Sequence, residues 1–307
     1  MLKKIVFMGT PDFSVPILKS LYQNGYAIST VYSQPPKKSL RGQKLNKSSI
    51  QKMAESLCID VRTPSILQDN KEEYSFLKKL EPDLVIVVAY GKLIPKEYLN
   101  LSKYGFINIH ASLLPRWRGA APIQRSIMNL DSETGISIMK IVEELDAGPI
   151  MRRQKVNITK DMNFEDLHNK LSDISSKLIL DCIDDIEEGS AIFTDQDEKY
   201  ATYAKKITKE EGKINWNSEA RDILAKINSL SPNPGAWFTF NSERYKLIKA
   251  KYSEAEGEIG KVIDDNFIIG CKKKSIQILE IQRQGKNKQN SNEFLLGSKI
   301  KKGTLLT

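Results

Sequence analysis

Three polar side chains, Asn108, His110 and Asp146, have the types and the spacing that acyl transfer requires. A carboxamide donates hydrogen bonds to an oxyanion that develops on a carbonyl carbon. An imidazole accepts or returns a proton near neutral pH, and a carboxylate fixes its tautomer or favours its charged form. The three together suit transfer of an acyl group from a carbonyl donor to an amine. The spacing also leaves a structural alternative open, in which Asn108 and His110 end a strand and Asp146 occupies a turn.

A strand over residues 105–111 would position two of these side chains. Successive side chains of a strand alternate between its faces, so Asn108 and His110 would leave the same face. Asp146 lies in the segment 145–149, which has the composition of a turn. The second histidine of the chain, His168, falls in a long amphipathic helical pattern, where we expect it at the surface. His110 is therefore the histidine that we expect to act on protons.

Other reaction classes lack their sequence signatures. The chain has no G-x-S-x-G motif for a serine nucleophile and no cysteine next to a histidine in sequence. It also has no H-E-x-x-H motif of zinc hydrolases. Direct attack by an amine on a bound acyl donor is therefore favoured over a covalent acyl-enzyme or a metal hydrolase, and we predict no metal. Residues 9–13 follow the first strand but are not the G-x-G-x-x-G of a dinucleotide site, so we expect no nicotinamide or flavin there.

The front part of the chain alternates short β-branched apolar runs with helical patterns, which is typical of βαβ units. The run 83–89 is almost entirely apolar, as in a central parallel strand covered on both faces. A Rossmann-like α/β domain with a mostly parallel sheet is the predicted fold. The predicted strands are 4–8, 28–32, 60–63, 83–89, 105–110, 134–140 and 148–156, and the predicted helices are 15–24, 48–57, 71–80, 122–128 and 164–188.

The pattern changes after residue 189. A polar connector over residues 190–208 leads to one predicted helix, 218–229, and then to several short strands with Gly and Asp-Asp-Asn turns. Such a series indicates a small, OB-like β-barrel or an open β domain. We therefore predict a catalytic domain over 1–189, a linker over 190–208 and a barrel-like domain over 209–307.

The composition is that of a globular chain. Of its 307 residues 40% are hydrophobic, which is enough to bury a sizeable core. No apolar run approaches the roughly 20 residues that cross a bilayer. The three cysteines, Cys58, Cys182 and Cys271, show neither metal-ligand nor disulfide spacing. We expect a cytoplasmic protein without a membrane partner, and a monomer because no exposed apolar repeat predicts a partner helix.

The positive charge is unevenly spread along the chain. The net charge is +9, and residues 209–307 hold 18 Lys and Arg against 12 Asp and Glu. Excess positive charge attracts polyanions, so nucleic acid is a candidate partner. A lysine-rich, solvated surface explains the same charge equally well.

Five segments resemble the methionyl-tRNA formyltransferases, and more broadly the enzymes that transfer a formyl group from 10-formyltetrahydrofolate. They are residues 8–13, 107–123, 145–150, 202–207 and 233–237. The second segment is highly specific, and the five occur in order over nearly the whole chain. The resemblance implies a Rossmann-like formyltransferase domain and a barrel-like domain that helps to hold tRNA. It also implies that the α-amino group of methionine on initiator tRNA attacks the formyl carbon of the folate.

The resemblance assigns roles to the three polar residues. Asn108 would stabilise the oxyanion, His110 would act on protons or support charge, and Asp146 would orient His110 or relay a proton through water. Which of His110 and Asp146 takes the amine proton stays open. A loop would lie along the folate, its backbone groups and apolar surface meeting the pterin. The implied folate-binding residues of that loop are Ser112, Leu113, Leu114 and Pro115.

The Lys-rich stretch 35–45 loosely resembles the basic loop that reaches the tRNA acceptor stem in this family, with Arg41 as the key contact. It is otherwise an exposed linker. In the 116–118 segment, Trp117 either stacks on a terminal base between two phosphate-binding arginines or packs under the loop while both arginines bind local carboxylates. The predicted tRNA contacts are Lys38, Arg41, Lys44, Arg116, Arg118, Lys205 and Lys206.

Two rival functions fit parts of the pattern. A catalytically silent RNA-binding protein on a borrowed formyltransferase fold would explain the basic tail and the basic loop. An enzyme that formylates a nucleotide sugar would explain the three polar residues, but it needs no second basic domain and would not depend on Arg41.

Overall fold

A computed structural model describes residues 2–38 and 45–306 of the chain. The strands are β1 Ile5–Gly9, β2 Ile28–Tyr32, β3 Lys37–Lys38, β4 Leu45–Asn46, β5 Val61–Arg62, β6 Leu84–Val88, β7 Phe106–His110, β8 Arg118–Gly119, β9 Glu133–Lys140, β10 Ile150–Asn157, β11 Tyr203–Ala204, β12 Ala236–Phe240, β13 Glu243–Ser253, β14 Ile268–Gly270, β15 Ser275–Arg283 and β16 Lys288–Asn290. The helices are α1 Val15–Gln23, α2 Ser49–Ser56, α3 Lys71–Leu80, α4 Pro122–Met128, α5 Phe164–Glu188, α6 Ala220–Leu230 and α7 Ser291–Gly297.

A seven-stranded sheet in the order β10-β9-β7-β6-β1-β2-β5 organises the first part of the chain. Its five strands from β7 to β5 pair in parallel, and β9 is antiparallel to β7. Every residue of β1 and β6 is buried, as expected for central strands of a parallel sheet. The strand β7 lies between β6 and β9, so its carboxyl end is the place where the parallel run meets the antiparallel edge.

Local sequence signals account for the helix starts. Ser48 accepts a hydrogen bond from Gln51 N–H at the start of α2, and Asn70 accepts one from Glu73 N–H at the start of α3. Such side-chain caps satisfy amide groups that have no partner inside the helix. Proline opens α4, where a missing N–H costs nothing. The predicted helices 71–80, 122–128 and 164–188 match the structure to the residue.

The last part of the chain forms an antiparallel sheet of five strands, with β12, β13, β15 and β14 in order and β16 paired to β15. Its core joins this sheet to α6 through buried apolar side chains. They include Trp216, Ile223, Ile227, Phe238, Leu247, Phe267, Ile276 and Phe294. The predicted fold class, a mostly parallel α/β domain followed by a small β domain, is confirmed.

The described chain divides into two compact units. One contains the residues up to 119 with 135–156 and 168–203, and the other contains 120–134, 157–167 and the residues from 204 onward. The chain therefore passes between the units more than once, whereas the sequence predicted consecutive domains with limits at 189 and 209. Those limits stay predictions. No helix in the described ranges is long and apolar enough to cross a membrane.

Candidate active site

The strand β7 and the turn before β10 bring the three predicted catalytic residues together. Asn108 and His110 leave the same face of β7, as their spacing predicted. The Asn108 Nδ2 atom donates to Oδ1 of Asp146 at 3.4 Å, and His110 Nδ1 lies 3.6 Å from Oδ2 of the same carboxylate. The side chains of His110 and Asp146 are 6% and 12% exposed. A carboxamide, an imidazole and a carboxylate therefore share one sheltered site.

The ring of His110 is held between a carbonyl group and the carboxylate. Its Nε2 atom lies 2.9 Å from the carbonyl oxygen of Trp117. Because a carbonyl oxygen can only accept, Nε2 is the donor in this hydrogen bond. The other ring nitrogen, Nδ1, faces Asp146. A proton that arrives at Nδ1 would lie between the ring and the carboxylate, so the pair can hold one transferred proton.

Asp146 takes an unusual backbone conformation. Its φ is 50°, in the left-handed region that Asp tolerates better than most side chains. The backbone N–H of Gly119 donates to Oδ2 of Asp146 at 2.8 Å. Gly119 itself has a φ of 114°, which favours glycine at that position. The direction of the carboxylate is therefore fixed from β8 as well as from β7.

Gly148 explains why the turn that holds Asp146 contains a glycine. A Cβ atom at this position would lie 1.9 Å from the carbonyl oxygen of Lys140. That oxygen belongs to the end of β9 and cannot rotate away as a side chain would. The end of β9 and the turn therefore lie so close together that only glycine fits at this position.

The Gly148→Ala variant is expected to be less stable than the native protein by about 1–3 kcal/mol, because the added methyl group forces the backbone apart. The same shift moves Asp146 and lowers catalysis. Chemical unfolding of the variant measures the first effect. Gly297→Ala is the matched control, since nothing lies within 4 Å of the Cβ it would add and its φ is not positive. Equal stability of both variants would contradict this account.

The loop 112–115, predicted to bind folate, is held by internal hydrogen bonds. The hydroxyl of Ser112 donates to the carbonyl of Arg116 at 2.6 Å. The hydroxyl of Ser137 donates to the Ser112 carbonyl at 2.8 Å and accepts from Leu114 N–H at 3.0 Å. These polar groups are therefore already paired within the protein. Ser137 was not anticipated from the sequence, yet its hydroxyl connects two residues of the loop, Ser112 and Leu114.

Two residues of the same loop keep part of their apolar surface accessible. Leu114 is buried with Met139 and Ile150, whereas Leu113 and Pro115 are half-buried. The carbonyls of Leu113 and Pro115 accept from the N–H groups of Arg116 and Thr202. The loop therefore offers preformed apolar surface from Leu113 and Pro115.

The family models match both parts of the chain. Residues 3–183, more than half of the chain, match the formyl transferase family, and residues 206–299 match the formyl transferase C-terminal domain. A methionyl-tRNA formyltransferase from Pelagibacter ubique (strain HTCC1062) is 60% identical over 100% of this chain and 99% of its own. The chain belongs to the methionyl-tRNA formyltransferases. The resemblance predicted from five segments is confirmed, and the protein is an enzyme of formyl transfer.

Further relatives agree with this family. A methionyl-tRNA formyltransferase from Chelativorans sp. (strain BNC1) is 43% identical over 99% of both chains. Among solved structures, HypX from Aquifex aeolicus in complex with tetrahydrofolic acid has a TM-score of 0.68 at 17% identity. This chain spans 50% of the HypX chain. The sugar 3N-formyl transferase WlaRD has a TM-score of 0.68 at 20% identity, over 94% of this chain and 100% of its own. At these identities the two structures support the fold alone.

Arg118 has a different environment from the one expected of a tRNA contact. Its side chain is 2% exposed and forms two hydrogen bonds with the carboxylate of Glu198, at 2.9 and 2.6 Å. The neighbouring Arg116 is exposed, with its guanidinium 5.7 Å from the ring centroid of Trp117. Of the two interpretations left open for this segment, Arg118 follows the one with a local carboxylate. The structure does not support the predicted tRNA contact of Arg118.

The other predicted tRNA contacts fall into three groups. Lys205 and Lys206 are exposed, as a phosphate contact requires. Lys38 ends the short strand β3, which pairs with β4. The predictions for Arg41 and Lys44 lie outside the described residues.

Sequence reasoning missed three further residues around Asp146. Gly119 lies in a segment that was singled out for its resemblance, but no role was assigned to its N–H. Gln196 and Glu198 lie in the stretch interpreted as a polar connector, where neither periodicity nor a motif marked them. In the ranges 2–38 and 45–306, no three His, Cys, Asp or Glu side chains are grouped so as to hold a metal ion.

Proposed function

We propose that the protein transfers the formyl group of 10-formyltetrahydrofolate to the α-amino group of methionyl-tRNA, giving N-formylmethionyl-tRNA for translation initiation. The observation that carries this proposal is the convergence of Asn108, His110 and Asp146 at the carboxyl end of β7. Relatives named methionyl-tRNA formyltransferase, with 60% and 43% identity over nearly the full length, support the choice of acceptor.

The proposed reaction is a direct transfer between two nitrogen atoms. The neutral amine attacks the formyl carbon, a C–N bond forms, and the carbonyl oxygen becomes an oxyanion. The bond from this carbon to N10 of the folate then breaks and restores the carbonyl. The amine loses one proton and N10 gains one, so the reaction consumes no net proton and no redox equivalent. Nothing in this sequence of steps calls on a metal.

The site residues match the demands of these steps. The amide nitrogen of Asn108 carries two N–H groups, and one suffices for the bond to Asp146. The second can stabilise the oxyanion, which is the charge that develops in the transition state. The proton of the amine passes to the pair formed by His110 Nδ1 and Asp146 Oδ2 and returns to N10. Because Nε2 is bound to the Trp117 carbonyl, the ring keeps Nδ1 in place through both transfers.

The donor would lie along the loop 112–115. Its rigid hydrogen-bonded backbone presents Leu113 and Pro115 as apolar surface for the flat pterin ring. In this proposal the Ser112 hydroxyl and the Leu114 N–H shape the loop, and other backbone groups of residues 112–115 meet the pterin. HypX, whose structure contains tetrahydrofolic acid, shares the fold.

The acceptor would be held by basic residues. A net charge of +9 favours association with tRNA phosphates. We propose contacts from Lys38, Arg41, Lys44, Arg116, Lys205 and Lys206, and we propose that the protein acts as a cytoplasmic monomer.

Transfer of labelled formyl from 10-formyltetrahydrofolate to initiator and elongator methionyl-tRNA tests the proposal. We expect product on initiator tRNA, and far slower formation of it in Asp146→Asn because the carboxylate can no longer support the transferred proton. Asp161→Asn is the matched control, as Asp161 is exposed. Tight tRNA binding without product would favour a silent RNA-binding protein. Product on a nucleotide amino sugar in place of tRNA would favour the sugar formyltransferase alternative.

A further inference from the structure

The side chain of Gln196 binds two backbone carbonyl groups of the turn that contains Asp146. Its Nε2 atom donates to the carbonyl of Asp146 at 2.8 Å and to the carbonyl of Gly148 at 2.8 Å. A carboxamide nitrogen has two N–H groups, and both are used here. A single side chain, distant in sequence, therefore closes the turn that carries the proposed catalytic carboxylate.

The opposite end of the same amide is held by Arg118. Oε1 of Gln196 accepts from Nε and Nη2 of Arg118 at 3.1 and 2.9 Å. Arg118 is held in turn by Glu198, whose carboxylate takes two charge-assisted bonds. Guanidinium can only donate and carbonyl oxygen can only accept, so these partners leave one orientation for the amide. Each donor and each acceptor in the contacts between Glu198, Arg118 and Gln196 is therefore determined by the chemistry of the groups.

Two connections run from β8 to Asp146. The side chain of Arg118 acts on the Asp146 backbone through Gln196, while the N–H of the next residue, Gly119, binds the Asp146 carboxylate directly. The strand β8 is itself anchored, because Arg118 N–H donates to the Thr202 carbonyl at 2.8 Å. Residues of the short strand β8 therefore determine the position of both the backbone and the carboxylate of Asp146.

We propose that Gln196, oriented by Arg118 and Glu198, is a positioning residue for formyl transfer that fixes Asp146 against His110. This inference rests on the proposed function. Asp146 has a left-handed backbone and a 3.6 Å separation from His110 Nδ1, so the turn must be held for the carboxylate to meet the ring. Without the two bonds from Gln196, the turn relaxes and the carboxylate leaves the position in which it shares a proton.

Gln196→Met removes the hydrogen bonds while keeping most of the volume. We expect kcat to fall about 10- to 100-fold, as for misplacement of a reacting group by about 1 Å. KM for both substrates should stay within about twofold, because neither substrate contacts Gln196 in the proposed reaction. Gln154→Met is the matched control, since Gln154 is exposed and its side chain donates to the carbonyl of its neighbour Lys155. An unchanged kcat in Gln196→Met would overturn the proposal.

A second variant separates positioning from simple charge pairing. Gln196→Glu keeps an acceptor for Arg118 but has no N–H for the two carbonyls. If Gln196 positions the turn, Gln196→Glu is as slow as Gln196→Met or slower. If Gln196 serves only to pair the buried Arg118, Gln196→Glu keeps the native kcat and the proposal fails. The comparison of Gln196→Glu with the native protein holds even if Gln196→Met folds poorly.

A double-mutant cycle with Asp146→Asn tests the route of the effect. A residue that acts through Asp146 adds no further loss once that carboxylate is removed, so Gln196→Met/Asp146→Asn should be as slow as Asp146→Asn alone in single-turnover reactions. Multiplication of the two losses would show a role independent of Asp146 and overturn the proposal. A native protein that transfers no formyl group would instead refute the proposed function itself.

Discussion

Replacing Asn108 by alanine is expected to lower kcat for formyl transfer about 100- to 1,000-fold, the loss typical of removing one oxyanion donor. The carboxamide is fixed by β7 on one side and by its bond to Asp146 on the other, so it needs no rearrangement when the oxyanion forms. Alanine cannot donate in its place, and water would have to reorganise to do so. The loss should therefore appear in kcat, while KM for both substrates stays nearly unchanged.

Single-turnover formylation of initiator methionyl-tRNA is the appropriate measurement, because product release does not obscure the chemical step. Asn217→Ala provides the matched control, since Asn217 is exposed in the last part of the chain. We expect the control to react at the native rate. An Asn108→Ala variant that keeps more than about a tenth of the native rate would remove Asn108 from the oxyanion role, given the size of such effects elsewhere.

Loss of the His110 ring should have a comparably large effect. We expect His110→Ala to lower kcat by about 100- to 10,000-fold, the range associated with a positioned general acid or base. The ring joins the Trp117 carbonyl to the Asp146 carboxylate, and its removal takes away one member of the pair that would hold the transferred proton. His168→Ala is the natural control, because it removes the other histidine, which contacts Phe13 by an edge-to-face ring pair.

Combining His110→Ala with Asp146→Asn tests whether the two groups act as one unit. Residues that share one proton should show strongly non-additive losses, so the double variant should be little slower than the slower single variant. Independent roles would instead multiply the two losses. That result would contradict the shared-proton arrangement while leaving formyl transfer itself intact.

The three predicted catalytic residues show which features of the site can be predicted from the sequence. A two-residue spacing in an apolar run was enough to place Asn108 and His110 on one face, because strand alternation is a local property. That Asp146 joins them was expected from the complementary chemistry of the three groups, not from its position in the chain. The structure supplies the distances, and the catalytic roles stay predictions until the variants are measured.

Helix and strand positions were also predictable, because capping residues, prolines and apolar periodicity act over a few residues. The same local patterns could not predict that Ser137 binds the loop 112–115, or that the N–H of Gly119 binds the Asp146 carboxylate. Both contacts join segments that are distant in sequence. Nothing in the local pattern of either segment depends on the other.

The sequence by itself determined the main helices and strands of the first part of the chain, the fold class, the family and the identity of the three polar residues that share the site. Tertiary structure alone decided that Arg118 lies inside the protein, bound to Gln196 and Glu198. An arginine beside a tryptophan has the same local signature whether it meets phosphate or a buried carboxylate. The outcome depends on which distant side chain the fold places within hydrogen-bonding distance, and that is set by the packing of the whole sheet and its loops.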